Sequence, residues 1–204
     1  LGTIIMVLET YSWILNLISI CIKFQMKYLN NNFIFDFDGT LVNLSADWKL
    51  LKKELINLSA EHSLKNELST YERIIKLQML DKNLYEKLSK IEAPNQKPIY
   101  EINDNVIEFI RSKLDNFSII SSNLTSTINI VLEELDLKKK CIEVIGLDKV
   151  SSPKPNKNPF EKLIINLKKR NYNFEGQIFY VGDKKVDQEF ANNCDLSFIF
   201  YQNL

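Results

Sequence analysis

Histidine is almost absent from this chain. Of 204 residues only His62 is one, between Glu61 and Ser63 in a polar helical stretch where a surface position is expected, so a histidine-based triad has nothing to stand on. Cysteine is scarce as well. Cys21, Cys141 and Cys194 are odd in number, far apart and form no Cys-x-x-Cys pair, which argues against a disulfide framework or a structural zinc site and fits a reducing, cytoplasmic compartment. Each lies in or beside an apolar run and reads as a small buried hydrophobe. An excess of charge is missing too: Lys plus Arg and Asp plus Glu number 26 each, for a formal net charge of +0. Without a basic excess no nucleic-acid partner is expected, and small-molecule chemistry becomes the default. What the chain does have is hydrophobic residues, 45% of the total. That suffices to bury the core of one medium domain, alone or with a small insertion, and excludes disorder.

One stretch organises the rest: Phe33-Ile34-Phe35-Asp36-Phe37-Asp38-Gly39-Thr40-Leu41. An apolar strand carries one carboxylate to its end, a second follows two residues later, and Gly39-Thr40 turns the chain away. Residues two apart in an extended chain point the same way, so Asp36 and Asp38 are expected to face one pocket. Like charges there repel unless a proton or a cation sits between them, and a hard divalent cation bound through oxygen is the natural resolution.

Beyond Leu41 the apolar period changes from two to that of a helix. Trp48, Leu51, Leu55, Ile74, Leu77, Leu84, Leu88 and Ile91 recur at helical spacing, and no strand signal appears before Pro94 and Pro98. Residues 43–98 therefore read as an all-helical insertion. From about residue 100 helices alternate with short apolar strands, expected at 117–121, 141–145, 177–181 and 196–200. The fold class this predicts is α/β, a doubly wound, mainly parallel Rossmann-like sheet built from 26–42 and 99–204, with a small helical cap.

In such sheets the site lies at the carboxyl ends of the strands. Asp36 and Asp38 end the first strand, Ser121-Ser122-Asn123 the second and Gly182-Asp183 the fourth, with Asp187 four residues on; Lys154 stands on the loop after the third. Asp36 has the chemistry of a nucleophile toward a phosphoryl group. Asp36, Asp38, Asp183 and Asp187 are the candidate ligands of Mg2+. Ser121 and Lys154, with Ser122 as the alternative hydroxyl and Asn123 beside it, are the candidate contacts to phosphoryl oxygens. Asp38 is placed to move protons.

The run Asp36-Phe37-Asp38-Gly39-Thr40-Leu41, the Ser121 strand end, Lys154-Pro155 and Gly182-Asp183-Lys184-Lys185-Val186-Asp187 resemble the four motifs of the haloacid dehalogenase-like hydrolase superfamily. The likeness spans residues 33 to about 200 and is closest to phosphatase-type members with a helical cap after the first strand, as in phosphoglycolate phosphatases and phosphomutases. It implies Asp36 as nucleophile, Asp38 as acid and base, Ser121 and Lys154 as phosphate contacts, Asp183 as metal ligand and Asp187 as ligand or its supporting partner. The expected activity is Mg2+-dependent hydrolysis of a small phosphorylated metabolite through an aspartyl-phosphate. The alternatives are a phosphomutase, or a binding or regulatory domain without catalysis. Two departures stand out: Lys184 after Asp183, expected in a surface ion pair, and Cys194-Asp195 where many members carry Ala-Gly. Asp tolerates the left-handed backbone such a turn requires.

Residues 1–25 stand apart. From Ile4 to Ile22 the only charge is Glu9, over about the length of a membrane span of roughly 20 residues. A central Glu costs about 3 kcal/mol and nearly offsets the aliphatic gain. The segment is either a hydrophobic anchor, with Lys23 and Lys27 placing the domain in the cytoplasm, or an extension upstream of Met26. No basic region precedes the run, so a secretory signal fits poorly.

Overall fold

The computed structural model describes residues 31–65 and 67–204. The segment around the apolar run 4–22, with Cys21 and Met26, lies outside the described residues. Among those described, no helix is long and apolar enough to cross a membrane.

Strand β1 (Asn32–Phe35) is buried along its whole length and sits in the middle of a five-stranded parallel sheet. It pairs on one side with β4 (Phe117–Ile120) and on the other with β6 (Ile178–Gly182), in register Phe35↔Ile119 and Phe35↔Val181. The edges are β5 (Cys141–Ile145) and β7 (Ser197–Phe200), giving the order β5-β4-β1-β6-β7. A strand buried on both faces needs apolar residues at every position, and Phe33-Ile34-Phe35 supplies them. Phe33 and Phe35 join α4 (Asp104–Lys113) and α5 (Thr125–Glu134) through Val106, Ile110, Ile128 and Val131. Ile34 points the other way, to Leu163 of α6 (Asn158–Lys169), and to Tyr180 and Phe190, the latter on α7 (Lys185–Asn193). The doubly wound sheet expected from the sequence is present, each strand within about a residue of its expected bounds. Chain order runs outward from β1 through β4 to β5, then returns to β6 on the opposite side. The crevice above β1 is thus a topological switch point, where such sheets bind ligands.

Between β1 and α4 the chain forms α1 (Trp48–Glu61), α2 (Thr70–Leu80) and α3 (Leu84–Glu92). The first two starts are chemically marked. The Leu50 N–H donates to Asp47 Oδ1 at 2.8 Å, and Ser69 with Glu72 forms a capping box. Leu55, Leu77, Leu84 and Leu88 make an apolar cluster that Leu124 and Leu147, from the loops after β4 and β5, extend into the α/β body.

The segment is not helical from residue 43 onward. Val42–Leu44 and Tyr100–Ile102 form an antiparallel pair, β2 and β3, at its entry and exit. Three residues are too few for a period-two pattern to show in the sequence.

Candidate functional site

The floor of the site is the tip of β1. The Asp36 N–H donates to the Val181 carbonyl at 2.8 Å, which fixes this backbone against β6. Asp36 is 5% exposed, with Oδ1 2.8 Å from Lys154 Nζ. The same ammonium reaches Asp187 Oδ1 at 2.6 Å and the Tyr180 hydroxyl at 2.9 Å. Its three protons thus have three acceptors. Tyr180 in turn donates to the Ile120 carbonyl at 2.8 Å, tying the lysine to the end of β4. Burial acts to depress Lys154, but Asp36, Tyr180 and Asp187 outweigh it and hold the ammonium well above its ordinary value. One cation cannot neutralise two carboxylates. Burial pushes Asp36 upward, and Asp187 adds to the push against the pull of Lys154.

Asp187 is fully buried in the first turn of α7. Its Oδ2 accepts the N–H groups of Asp183 and Lys184 at 3.3 and 3.1 Å, the usual use of an acid at a helix start. Carboxylate oxygens of Asp36, Asp183 and Asp187 lie within 4.8 Å of one another. Asp183 Oδ1 is buried without a hydrogen-bond partner, and burial raises the group's pKa, with Lys184 opposing. Two glycines make this crowding feasible. A Cβ at Gly39, where φ is +90°, would stand 2.3 Å from Asp183 Oδ2, and one at Gly182 would stand 2.5 Å from Asp187 Cβ. Gly182→Ala is therefore expected to displace Asp187 and cost about 1 to 3 kcal/mol. A thermal melt unchanged to within a degree would contradict this.

Asp38 lies at the same cavity, but its carboxylate is not part of the three-acid group. β1 ends at Phe35, and Thr40, Leu41 and Val42 all direct their N–H groups to the Phe37 carbonyl. Asp38 makes an isolated bridge with Val42 and the turn begins at Gly39, so both acids border the cavity while only Asp36 reaches the other two carboxylates. Asp38 Oδ1 accepts the Leu44 N–H at 2.9 Å, and its carbonyl accepts from Lys184 Nζ at 3.3 Å. Lys184 also pairs with Asp183 at 3.4 Å, the surface ion pair expected of it, with its side chain 55% exposed at the edge of the cavity. At the remaining departure Asp195 adopts φ +58°, the left-handed turn expected there.

At the end of β4 the Ser121 hydroxyl donates to Asn123 Oδ1 at 3.0 Å and accepts the Asn123 N–H at 3.3 Å. Ser122 stands beside them, half-buried. All three border a cavity of about 390 Å³ together with Asp36, Asp38, Lys154 and Lys184. Trp48, Leu51, Thr70, Tyr71, Ile74, Leu88 and Glu92, from the helical segment, form its other wall.

Two participants are not apparent from the sequence. Tyr180 reads there as one more apolar strand residue. Glu92 looks like a solvated helix end, although an acid in a last turn opposes the helix dipole, and that mismatch was the available signal. Glu92 is 4% exposed. Its Oε2 accepts the Leu124 N–H at 3.0 Å, and Asn123 Nδ2 approaches Oε1 at 3.5 Å. Burial raises its carboxyl to about 7, against the hydrogen bonds that favour the charged form. An acid whose folded pKa lies above its unfolded value stabilises the fold fully below pH 4.5 and loses that contribution as pH rises to about 7. Glu92→Gln is expected to flatten a slope totalling up to about 3 kcal/mol across that window. Urea unfolding at pH 5 and pH 8 checks it, and equal pH dependence in both proteins would refute it.

Solved structures share the fold. Proteins assigned as phosphoglycolate phosphatases come from Lactobacillus plantarum (14% identity, TM-score 0.50, covering 82% of this chain and 84% of that one) and Haemophilus somnus (18%, 0.53, 83% and 84%). A haloacid dehalogenase-like hydrolase from Bacteroides fragilis aligns at 17% identity with TM-score 0.52, covering 81% and 84%. Among curated proteins none matches the chain. A family profile described as haloacid dehalogenase-like hydrolase matches residues 33–201, which takes in the β1 tip, the Ser121 and Gly182 strand ends and the three-acid group. The chain belongs to the haloacid dehalogenase-like hydrolase family.

Proposed function

We propose that this hydrolase is a Mg2+-dependent phosphatase of small phosphorylated metabolites, working through a phosphoryl group carried on Asp36. The observation that carries this reading is the division of the acids around the tip of β1: Asp36, Asp183 and Asp187 share a cluster, while Asp38, on the cavity that Asp36 also lines, is held by the Leu44 N–H. Asp36, Asp183 and Asp187 would hold the ion; all are hard oxygen donors, and the orphaned Asp183 Oδ1 fits a ligand. When bound, Mg2+ supplies charge to offset that of the phosphoryl oxygens.

A carboxylate oxygen of Asp36 forms a bond to phosphorus as the bond to the leaving oxygen breaks, and Asp38 gives that oxygen its proton. Asp38, now charged, takes a proton from water as the water oxygen attacks phosphorus, releasing phosphate and restoring Asp36. Ser121, Ser122 and Asn123 supply donors for the phosphoryl oxygens, and Lys154, held by its three acceptors, supplies positive charge beside them. The helical wall shields the reaction from bulk water, as lids do.

Phosphate release from a panel of phosphomonoesters, with and without EDTA, tests this. Chelation is expected to abolish release, and Asp38→Asn to slow it by roughly 10² to 10⁴. Unchanged release after chelation would contradict the ion's part, and a fully active Asp38→Asn protein the acid's.

A further inference from the structure

The part of the cavity wall that the helical segment contributes has a distinct chemical character. Trp48 and Leu51 from α1, Tyr71 and Ile74 from α2 and Leu88 from α3 make it apolar and aromatic, with the Thr70 hydroxyl as a small exception. Trp48 and Tyr71 are about 40% exposed, so both rings are within reach of a ligand in the cavity. The one charged group on this wall is acidic: Glu92 borders the cavity from the last turn of α3. Among the described residues lining the cavity, the cations are Lys154 and Lys184, and neither belongs to the helical segment. Lys154 is surrounded by three acceptors and Lys184 lies against Asp183. Glu92 is anchored to Leu124 and Asn123, so it is held in place rather than free to swing into solvent. Each of its oxygens has accepting capacity left after those bonds.

Resting on the phosphatase reading above, we infer that the substrate's alcohol portion has an apolar or aromatic body, carries a hydrogen-bond donor or ammonium group toward Glu92, and bears no second anion. A carboxylate or second phosphate reaching this wall would meet no free cation. It would lie near a fixed acid in a poorly solvated pocket, where like charges cost at least a factor of ten in binding. An ammonium there gains the opposite sign of the same interaction, and rings on the wall favour it further.

The test uses the full chain at pH 8 with Mg2+, where Glu92 is charged. Benzyl phosphate, 4-(aminomethyl)benzyl phosphate and 4-carboxybenzyl phosphate differ in distal charge while keeping similar leaving oxygens. The expected kcat/KM order is ammonium, then neutral, then carboxylate, the carboxylate ester at least tenfold below the neutral one, with 2-phosphoglycolate also poor. Glu92→Gln should shrink the spread about tenfold. Tyr71→Lys, at a half-exposed wall position, should raise the carboxylate ester about tenfold relative to the neutral one. The order is read first on the unaltered chain, so it does not depend on either variant folding. Turnover of all three without that order, or best turnover of the carboxylate ester, overturns the inference and leaves the phosphatase reading standing. No turnover of these esters or of 4-nitrophenyl phosphate overturns both.

Discussion

Asp36→Asn is expected to lower phosphate release by roughly 10⁴-fold or more, the scale seen when a hydrolase loses its nucleophile, while leaving the fold as stable as before or more so. Asparagine keeps the shape and an acceptor oxygen but cannot attack phosphorus. The stability half of the expectation follows from charge. Lys154 serves two buried carboxylates, and Asp36 is the one that burial pushes above its ordinary value. Removing that charge leaves one cation facing one anion, Asp187. A protein that keeps its melting temperature and loses turnover separates chemistry from folding; one that retains a tenth of its activity would exclude Asp36 as the attacking group.

Lys154→Met is expected to give the largest loss of stability. Methionine has similar length and adapts to an irregular gap, so the effect isolates the charge. Asp36 at 5% exposure and Asp187 at 0% would be left facing each other with no cation, and Tyr180 would lose its donor. Breaking a buried ion pair from one side costs about 3 to 5 kcal/mol, on the order of 10 °C in melting temperature for a chain of this size. Without the lysine Asp36, already pushed upward by burial, loses the pull that opposed it, so its neutral form stabilises the fold at low pH and that contribution is lost as pH rises. The deficit relative to the unaltered protein should therefore be larger at pH 8 than at pH 5. Equal deficits at the two pH values would mean that the loss is packing, not charge.

How far the sequence carried differs between the scaffold and the site. The five strands of the sheet were legible because a strand covered on both faces is an unbroken apolar run, as in Phe33-Ile34-Phe35 and Phe117 to Ile120. Strands β2 and β3 were not, because three residues each are too few to show a period. The rule that ligands gather at strand ends located Asp36, Ser121, Lys154, Asp183 and Asp187 before any coordinates. It could not give the partner of Asp38, because its carboxylate is held by the Leu44 N–H from beyond the turn that opens at Gly39, a contact that no spacing encodes. Tyr180 was hidden for the opposite reason: its neighbours Phe179 and Val181 are apolar, so its hydroxyl carried no pattern. Glu92 needed the contact between α3 and the start of α5, a meeting of residues about thirty apart that periodicity along one helix does not encode.

The measurement that bears most directly on the central claim is mass spectrometry of protein quenched in acid during turnover of 4-nitrophenyl phosphate with Mg2+. A phosphoryl adduct on the peptide containing Asp36, absent from Asp36→Asn, is the result predicted here. Full turnover with that peptide unmodified at every quench time, or an adduct carried by another residue, would contradict it.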